Sequence, residues 1–509
     1  MLTNSPAFEF PFSMALTALD TLVIAAYLAL LFGIGLRFSR RQTSRDEYFL
    51  GNRDMHWFLV GGSIMATLLS TITFLSVPGE MIRYGLAYFV GTLAFPFIIP
   101  FLNRMLIPVL MRLPITSVYE YLERRFDRRT RKLVAAIFIV RTVLWSGLIL
   151  YTASFAVVEM AGWPLLPTIA ALGVLTTIYT TAGGMRTVIW TDNIQLWILF
   201  GGSLAVALVV GFRTGDSPAV WWQAFQQAGR TEVQVFSFDL TVRMTLVGVM
   251  LHQFFWNLCT HGSDQVAVQR YLSTPSLAAA RRSLWVFTWV KLSLYVFLLG
   301  SALALFHFYV GSQPGTSALE ADKFLPRFIA RELPAGVSGL LLAALLAAAM
   351  SSLSSAINSV SGVVVNDFVP AARTHASLFL DKALAVGAGL VGTAAALALV
   401  GLIARTNWNL IELTGRVNHI FVGPIGALFF LGILARRVGR QAAAFGFVAG
   451  SAVSLYICFG KEWFGLEKSI SFLWVVPGSF AATFAAALLC APWFPAPDRE
   501  RIAQLVWRG

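Results

Sequence analysis

An apolar stretch at 341–359, LLAALLAAAMSSLSSAINS, is long enough to enter a lipid bilayer and carries four serines within five positions: Ser351, Ser352, Ser354 and Ser355. At about 100° per residue, Ser351, Ser355 and Asn358 share one stripe of a helix, and the other two serines flank it. Hydrocarbon offers a hydroxyl group no hydrogen-bond partner, so this wedge of oxygen atoms must face protein or a bound species. A dehydrated hard cation such as Na⁺ needs such oxygens, and the pattern predicts a sodium-transporting protein.

Two further stretches place polar residues inside apolar spans and predict broken helices: 63–79, with Ser70 and Thr73, and 256–265, with Asn257, His261 and Asp264. If the first span is numbered zero, these are spans 1 and 6, which enter the membrane from opposite sides. Five spans separate their starts, so they hold corresponding positions in two oppositely oriented halves. This arrangement predicts an inverted-repeat transporter whose solute binds beside the breaks, near the bilayer midplane.

The composition agrees with a membrane protein. The 509 residues are 57% hydrophobic and 12% charged, with a mean hydropathy of +0.72, whereas soluble proteins average roughly 25% charged residues. Apolar stretches recur along the whole chain and leave no room for a soluble catalytic domain. We therefore expect residues 1–509 to form a single all-α, polytopic integral membrane domain.

Hydropathy predicts about thirteen spans, which start near residues 18, 56, 85, 133, 164, 187, 244, 283, 334, 380, 408, 441 and 470. The first repeat is expected at 56–211 and the second at 244–433, with peripheral spans at 18–38 and 441–490. Arginine clusters follow the first span, precede the fourth and follow the eleventh, and all three lie on one side of the membrane. The positive-inside rule then predicts an external N-terminus and a cytoplasmic C-terminus in a plasma membrane, with a bacterial inner membrane favoured.

Other classes of function find little support. The net charge of +13 comes from arginines in short loops, where they orient insertion, so nucleic-acid binding is not expected. The three cysteines show no metal-type or disulfide spacing, and no HExxH or GxSxG motif indicates an enzyme. A membrane sensor is disfavoured because only about twenty residues follow the last span, too few for a signalling domain. No obligatory protein partner is evident beside the lipid bilayer.

The chain resembles the sodium:solute symporter family, which includes bacterial sugar, proline and sialic acid transporters and animal glucose and monocarboxylate carriers. The likeness rests on five segments in the family's order: YFLGNRDMHWFLVGGSIMAT at 48–67, TAGGMRTVIWTDNIQ at 181–195, SDQVAVQRYLST at 263–274, AAAMSSLSSAINS at 347–359 and IGALFFLGILARR at 425–437. The resemblance implies a leucine-transporter-type fold, with ten core helices in two inverted repeats of five plus peripheral helices. It also implies sodium-coupled uptake of a small organic solute by alternating access.

Carried over from the family, the main sodium site lies where the break in span 1 meets span 8. The resemblance places main-chain carbonyl ligands at Ala66, Leu69 and Ala348 and hydroxyl ligands at Ser351 and Ser352. Such a cage makes physical sense because an unwound turn frees carbonyls and serine adds neutral oxygen. The alternative is that these serines only pack helices closely or bond back to their own backbone.

Some members of the family have a second sodium site. By resemblance its ligands here are Asp192, Ser354 and Ser355, with Ser351 shared between the two sites. We expect Asp192 near the cytoplasmic end of span 5, where its carboxylate can still reach water or Arg186. The alternative for Asp192 is a charge that only pairs in a loop or begins a helix.

For the solute, the family alignment points to Ser70 and Thr73, and the disrupted stretch of span 6 offers Asn257, His261 and Asp264. Sugar-transporting relatives carry glutamine at the position of Thr73, which weakens a hexose interpretation. Sialic acid transporters carry serine and threonine at the positions of Ser70 and Thr73. The pocket therefore favours an anionic solute such as a sialic acid or a monocarboxylate over a sugar or a proline-like amino acid, and a proton-coupled carrier on the same fold stays an alternative.

Arg141 lies about nine residues into span 3, where a lone guanidinium costs about 2.5 to 3.5 kcal/mol at the bilayer centre. Two interpretations stay open. Arg141 either recognises a carboxylate of the solute with its planar fork, as a span-3 arginine does in sialic acid carriers, or it forms a structural salt bridge or extends to the cytoplasmic face.

Overall fold

The computed structural model describes residues 17–40, 42, 44–311, 318–370, 378–403, 415–416 and 418–507. Every regular element in that part of the chain is helical, as predicted. The longer helices of the first half are α1 (Ala18–Ser39), α2 (Arg45–Leu50), α3 (Trp57–Leu68), α4 (Thr71–Tyr84), α5 (Ala87–Met111), α6 (Glu120–Arg125), α7 (Arg128–Ala161), α8 (Leu165–Thr214) and α9 (Pro218–Gln227).

The second half continues with a comparable set of helices. These are α10 (Leu246–Ser263), α11 (Gln265–Leu272), α12 (Leu277–Gly311), α13 (Phe324–Glu332), α14 (Val337–Phe368), α15 (Leu378–Ile403), α16 (Val422–Leu434), α17 (Arg440–Phe464) and α18 (Val475–Cys490). Most helix starts agree closely with the predicted starts of the spans. No helix starts near 187, which lies inside α8, and the start predicted near 408 lies outside the described residues.

Among the described residues, nine helices are long and apolar enough to cross a membrane, or ten if the bent pair α3 and α4 counts as one span. One of the nine, α8, is fifty residues long, about 75 Å at 1.5 Å per residue and more than twice the thickness of a hydrocarbon core. It departs from helical geometry at Gly184, with φ 58° and ψ −156°, so its length suffices for two crossings. The total of thirteen spans stays a prediction.

A glycine is needed at the break in α8. Positive φ is a conformation that residues with a side chain rarely adopt, and a Cβ at Gly184 would lie 2.7 Å from the main-chain oxygen of Tyr48. The turn therefore allows the segment of α2 to lie against the start of the second half of α8.

Both predicted breaks occur, and each is shorter than expected. Helix α3 ends at Leu68, α4 begins at Thr71, and their axes differ by 67°. Ser70 starts α4 as its N-cap, because its side chain accepts a hydrogen bond from the Thr73 amide. In span 6 the helix stays regular through Ser263 and breaks only at Asp264, which caps α11 by accepting from the Val266 amide. The predicted interruption over 256–265 was therefore too broad.

Helix α14 lies at the centre of the molecule. In its most apolar window 94% of the residues are buried, against 28% for α1 and α15. It packs against α1, α3, α7, α8 and α15. The serine-bearing face predicted from the sequence is thus enclosed by protein rather than by lipid.

Candidate functional site

Two hydrogen bonds attach the break between α3 and α4 to α14. The Ser352 hydroxyl donates to the Thr67 carbonyl over 3.0 Å, and the Thr71 hydroxyl donates to the Leu345 carbonyl over 3.1 Å. All four residues are almost completely buried. The break therefore meets α14, which is the predicted span 8, at the place where the main sodium site is predicted.

The break also leaves backbone oxygens unused. The last backbone hydrogen bond of α3 runs from the Leu69 amide to the Met65 carbonyl, and in the described chain no backbone amide donates to the carbonyls of Ala66 or Leu69. Both residues are buried, so these oxygens have neither a helical partner nor bulk water. Ala348 lies within the continuous helix α14, one turn before Ser352, and is also buried.

The second predicted cluster gathers around a carboxylate that is completely buried. Asp192 Oδ1 accepts a hydrogen bond from the Ser351 hydroxyl over 2.9 Å. Its Oδ2 accepts from Ser63 over 2.5 Å and from Thr67 over 3.1 Å. Ser63 and Thr67 are one helical turn apart on α3, so the spacing of these two hydroxyls was a signal that the sequence analysis did not use.

Arg270 is the partner of Asp192, and the expectation for Asp192 was wrong in this respect. The guanidinium lies 3.1 Å from Asp192 Oδ2, and both side chains are at most 1% exposed. Arg186 instead pairs with Glu47 at 2.5 Å, and Asp192 has no access to water. Arg270 belongs to the segment 263–274 that carried the family resemblance, but a sequence motif does not identify the partner of a charge.

Arg270 reaches further into the predicted second sodium site. It donates to the hydroxyls of Ser63 and Ser355 and to the Val266 carbonyl. The Ser355 hydroxyl also meets the Thr67 hydroxyl at 2.9 Å. A second cation bound here would share Asp192 and Ser355 with a fixed guanidinium.

Two of the four serines bond back to their own helix. The hydroxyls of Ser354 and Ser355 donate to the Ser351 carbonyl over 2.9 and 2.7 Å, as serines in membrane helices commonly do. The Ser351 hydroxyl points to Asp192, whereas the Ser352 hydroxyl points to the break of span 1. The hydroxyls of Ser351 and Ser352 thus point towards different predicted sites.

A cavity of about 200 Å³ lies beside both helix breaks. Its walls combine aromatic side chains with a few polar groups, two histidines, one arginine and one lysine. Among the lining residues are Leu69, Ser70, Thr73, Tyr88, Arg141, Trp145, Trp256, Asn257, Asp264, Phe287, Lys291 and Tyr295. Five of the six predicted solute-binding residues therefore line one space: Ser70, Thr73, Arg141, Asn257 and Asp264.

His261 is the exception, because it does not belong to the residues that line this cavity. Its side chain is fully buried and packs against the rings of Phe95 and Phe287, with ring centroids 6.2 and 4.7 Å away. In the regular helix that extends to Ser263, position 261 faces the protein core. The expectation of a wider break had placed it wrongly.

Arg141 forms a salt bridge, as the structural interpretation required, and lines the cavity, as the interpretation of carboxylate recognition required. Its guanidinium lies 2.5 Å from Asp264 Oδ2 and donates to Asn418 Oδ1 over 3.3 Å. It also lines the cavity. A salt bridge therefore neutralises Arg141 at the break of span 6, and the same pair forms part of the cavity wall.

Lys291 was missed by the sequence analysis, although a single lysine within the apolar stretch 283–306 was a signal. Its ammonium group donates to Asn257 Oδ1 over 3.2 Å and lies 4.4 Å from the centre of the Phe95 ring. In the described chain no carboxylate lies within ion-pair distance of it. Lys291 therefore places a buried amino group in the cavity wall, where its described contacts are an amide oxygen and aromatic rings.

Comparisons with known proteins agree with this arrangement. The model of the sodium:solute symporter family matches residues 48–450. The chain is 30% identical over 445 residues to the sodium/sialic acid symporter NanT of Aliivibrio fischeri, covering 86% of this chain and 87% of that protein. It is 31% identical over 461 residues to the sodium-coupled monocarboxylate transporter 1 of Mus musculus, covering 87% and 73%.

The structure is similar to a Na⁺-coupled sialic acid symporter solved in a substrate-bound, outward-open state, with a TM-score of 0.83, 28% identity, and coverage of 94% of this chain and 99% of that one. A nucleobase-cation-symport-1 family transporter matches with a TM-score of 0.59 at 14% identity, which supports the fold alone. The fold is of the leucine-transporter type, and the protein is a sodium-coupled membrane transporter rather than an enzyme. From its matched length and its arrangement of helices, this chain belongs to the sodium:solute symporter family.

Proposed function

We propose that the protein uses the sodium gradient to take up a small monocarboxylate into the cell, and that the solute carboxylate binds beside Lys291. The observation that carries this proposal is the buried ammonium group in the cavity wall. A lone cation deep in a membrane protein costs several kcal/mol unless a counter-charge compensates it. An anionic solute supplies that charge when it binds.

The size of the cavity favours a short solute. At about 200 Å³ it lies below the roughly 300 to 1,000 Å³ that is typical of sites for drug-sized ligands. Its aromatic walls suit an apolar body, and Ser70, Thr73 and Asn257 offer a few polar contacts. A sialic acid, which carries many hydroxyl groups, is the second candidate, supported by the similarity to sialic acid symporters and by the serine and threonine at positions 70 and 73.

Sodium binds, in this proposal, where the break of span 1 meets α14. The carbonyls of Ala66 and Leu69, which lack helical partners, and the hydroxyl of Ser352, which faces the break, support the main site; the carbonyl of Ala348 and the hydroxyl of Ser351 complete it. A cage of neutral oxygens can bind a monovalent ion and release it again, because no fixed negative charge holds the ion.

A second sodium ion is proposed at Asp192, Ser351, Ser354 and Ser355. Arg270 shares this cluster, so the ion must compete with the guanidinium for Asp192 and Ser355. If it binds, two sodium ions with a monoanion carry one net charge, which gains about 2.3 kcal/mol per 100 mV across the full membrane potential.

Sodium must bind one conformation more tightly than the other, since only a difference in affinity shifts an equilibrium. Occupancy between α3 and α14 stabilises the outward-facing state. Loss of the ion to a cytoplasm of low sodium concentration then releases the break and opens the inner side. The protein is proposed to act in a plasma membrane, such as a bacterial inner membrane, with its N-terminus outside and its C-terminus in the cytoplasm.

The test is uptake into proteoliposomes with an imposed inward sodium gradient, for a panel of labelled lactate, pyruvate, a sialic acid, proline and a hexose. We expect a monocarboxylate to accumulate in sodium medium and not in choline or potassium medium. Equal accumulation in all three media would overturn sodium coupling, and accumulation of the sialic acid alone would favour the second candidate.

The variant Lys291→Gln tests the carboxylate contact. Loss of the ammonium group should lower kcat/KM for the monocarboxylate by roughly 10- to 150-fold, because hydrogen bonds to charged groups contribute about 1.5 to 3 kcal/mol. Lys291→Arg should retain part of the activity. Lys461→Gln is the matched control, because Lys461 is exposed at the end of α17. Unchanged uptake in Lys291→Gln would exclude this anchor.

A further inference from the structure

Helix α1, expected to be peripheral, packs along α8 and α14 through a single stripe. Its buried residues recur at helical spacing, and they are Asp20, Ile24, Tyr27, Leu31 and Gly35. The opposite face of the helix is exposed. Two members of the stripe are polar, and a membrane helix that served only as packing would not need them.

Asp20 caps the N-terminus of α14 from a different helix. Its side chain is 1% exposed, and its Oδ1 accepts hydrogen bonds from the amides of Gly336 and Gly339 over 2.8 and 2.7 Å. The first amides of a helix have no partner within the helix, and a negative charge is favourable there. Asp20 Oδ2 is itself held by the amide and hydroxyl of Thr17, over 3.0 and 2.6 Å.

Tyr27 makes a second contact with α14, next to the predicted sodium ligands. Its hydroxyl lies 4.0 Å from the sulfur of Met350, the residue before Ser351, and accepts a hydrogen bond from Gln195 over 3.0 Å. Tyr179 donates to the main-chain oxygen of the same Met350 over 3.1 Å. The side of α14 at Met350 is thus supported by α1 and α8 together.

We propose that α1 sets the sodium affinity of the transporter by fixing α14 at these two points, with Asp20 and Tyr27 as positioning residues. An ion cage requires its oxygens to be held within about half an ångström of their productive positions. The axial position of α14 decides where Ser351 and Ser352 stand relative to the break in span 1. Neither Asp20 nor Tyr27 lines the solute cavity, so both act through α14. The inference rests on the sodium site proposed above.

The experiment measures initial uptake in proteoliposomes as a function of sodium concentration. Asp20→Ala should raise the half-saturating sodium concentration about fivefold, the factor that corresponds to the loss of one N-cap. Asp20→Asn keeps an accepting oxygen and should raise it less. The KM for the solute at saturating sodium should stay within about twofold of the original protein, since the cavity is untouched.

Tyr27→Phe removes the hydroxyl and keeps the ring, and it should raise the half-saturating sodium concentration about two- to threefold. Thr21→Ala is the matched control, because Thr21 is the neighbour of Asp20 on the exposed face of α1. If Asp20→Ala does not reach the membrane folded, Asp20→Asn and Tyr27→Phe carry the test.

Unchanged sodium dependence in both Asp20→Asn and Tyr27→Phe would overturn the role of α1. Equal shifts in sodium and solute saturation would do the same, because they would indicate general damage. Failure of the proposed function looks different: the unmodified protein would then take up solute equally well in choline medium.

Discussion

The two helix breaks that meet at the cavity differ in charge. At the break between α3 and α4, the groups that meet α14 are carbonyls and hydroxyls, with Ser352 bonded to Thr67. At the break between α10 and α11, Asp264 forms an ion pair with Arg141 at 2.5 Å. Similar backbone geometry is thus used for two different chemistries: neutral oxygens that suit an exchangeable cation, and a charged wall that suits an anionic solute.

A third region contains a buried ion pair. The ion pair of Asp192 and Arg270 lies behind the neutral break, fully buried, and connects α8, α11, α3 and α14 through shared hydroxyls. It holds the helices of both breaks together. We therefore expect loss of this ion pair to destabilise the whole fold. Changes at the break between α3 and α4 should mainly affect sodium binding, and changes at the break between α10 and α11 should mainly affect solute binding.

The largest effect is expected from Arg270→Ala, which leaves the Asp192 carboxylate buried without its counter-charge. Removal of one partner of a buried ion pair costs about 3 to 5 kcal/mol, so the purified protein should unfold at a clearly lower temperature in detergent. Asp192→Asn combined with Arg270→Gln should lose less than the sum of the single changes. A single variant as stable as the original would show that the pair is not structural.

Ser351→Ala and Ser354→Ala test the two proposed sodium sites, because Ser351 belongs to both sites and Ser354 only to the second. Ser351→Ala should reduce sodium stimulation of uptake at least tenfold, because a ligand of both proposed sites is lost. Ser354→Ala should lower the number of sodium ions moved per solute, measured from the reversal potential in proteoliposomes. Unchanged sodium dependence in Ser351→Ala would remove this serine from the main site.

Asp264→Asn sharpens the interpretation of the charged break. Asparagine can still cap α11 and bond to Arg141, but the guanidinium is no longer neutralised. If Arg141 also contacts the solute carboxylate, KM for the monocarboxylate should fall by roughly twofold to tenfold. A rise in KM with a normal unfolding temperature would mean that Asp264 itself contacts the solute.

The smallest effect is expected outside all three regions. Arg213 and Glu332 form an ion pair at 2.8 Å, with side chains 47% and 21% exposed. Such exposed pairs contribute about 0 to 1 kcal/mol. Arg213→Ala should therefore leave both the unfolding temperature and the sodium dependence within error, and a large loss would contradict the contrast between buried and exposed pairs.

Several features were predictable because they depend on neighbours along the chain. The hydroxyls of α14, the break near Ser70 and the break that ends at Asp264 all show as polar residues in apolar periodic segments. The extent of the second break was not predictable in the same way. The stretch 256–263 contains several polar residues but stays helical, and the side chain of Asn257 bonds to the Gln253 carbonyl within its own helix over 2.6 Å.

The sequence alone determined that this is an all-helical membrane protein of the sodium:solute symporter family, with a hydroxyl-rich helix and two interrupted helices. Hydrophobic length and periodicity are local properties and can be read directly. Tertiary packing decided that Arg270 and not Arg186 meets Asp192, that Lys291 lines the cavity while His261 does not, and that Asp20 caps α14. Each of those outcomes depends on which faces of distant segments come together, and no local pattern encodes that choice.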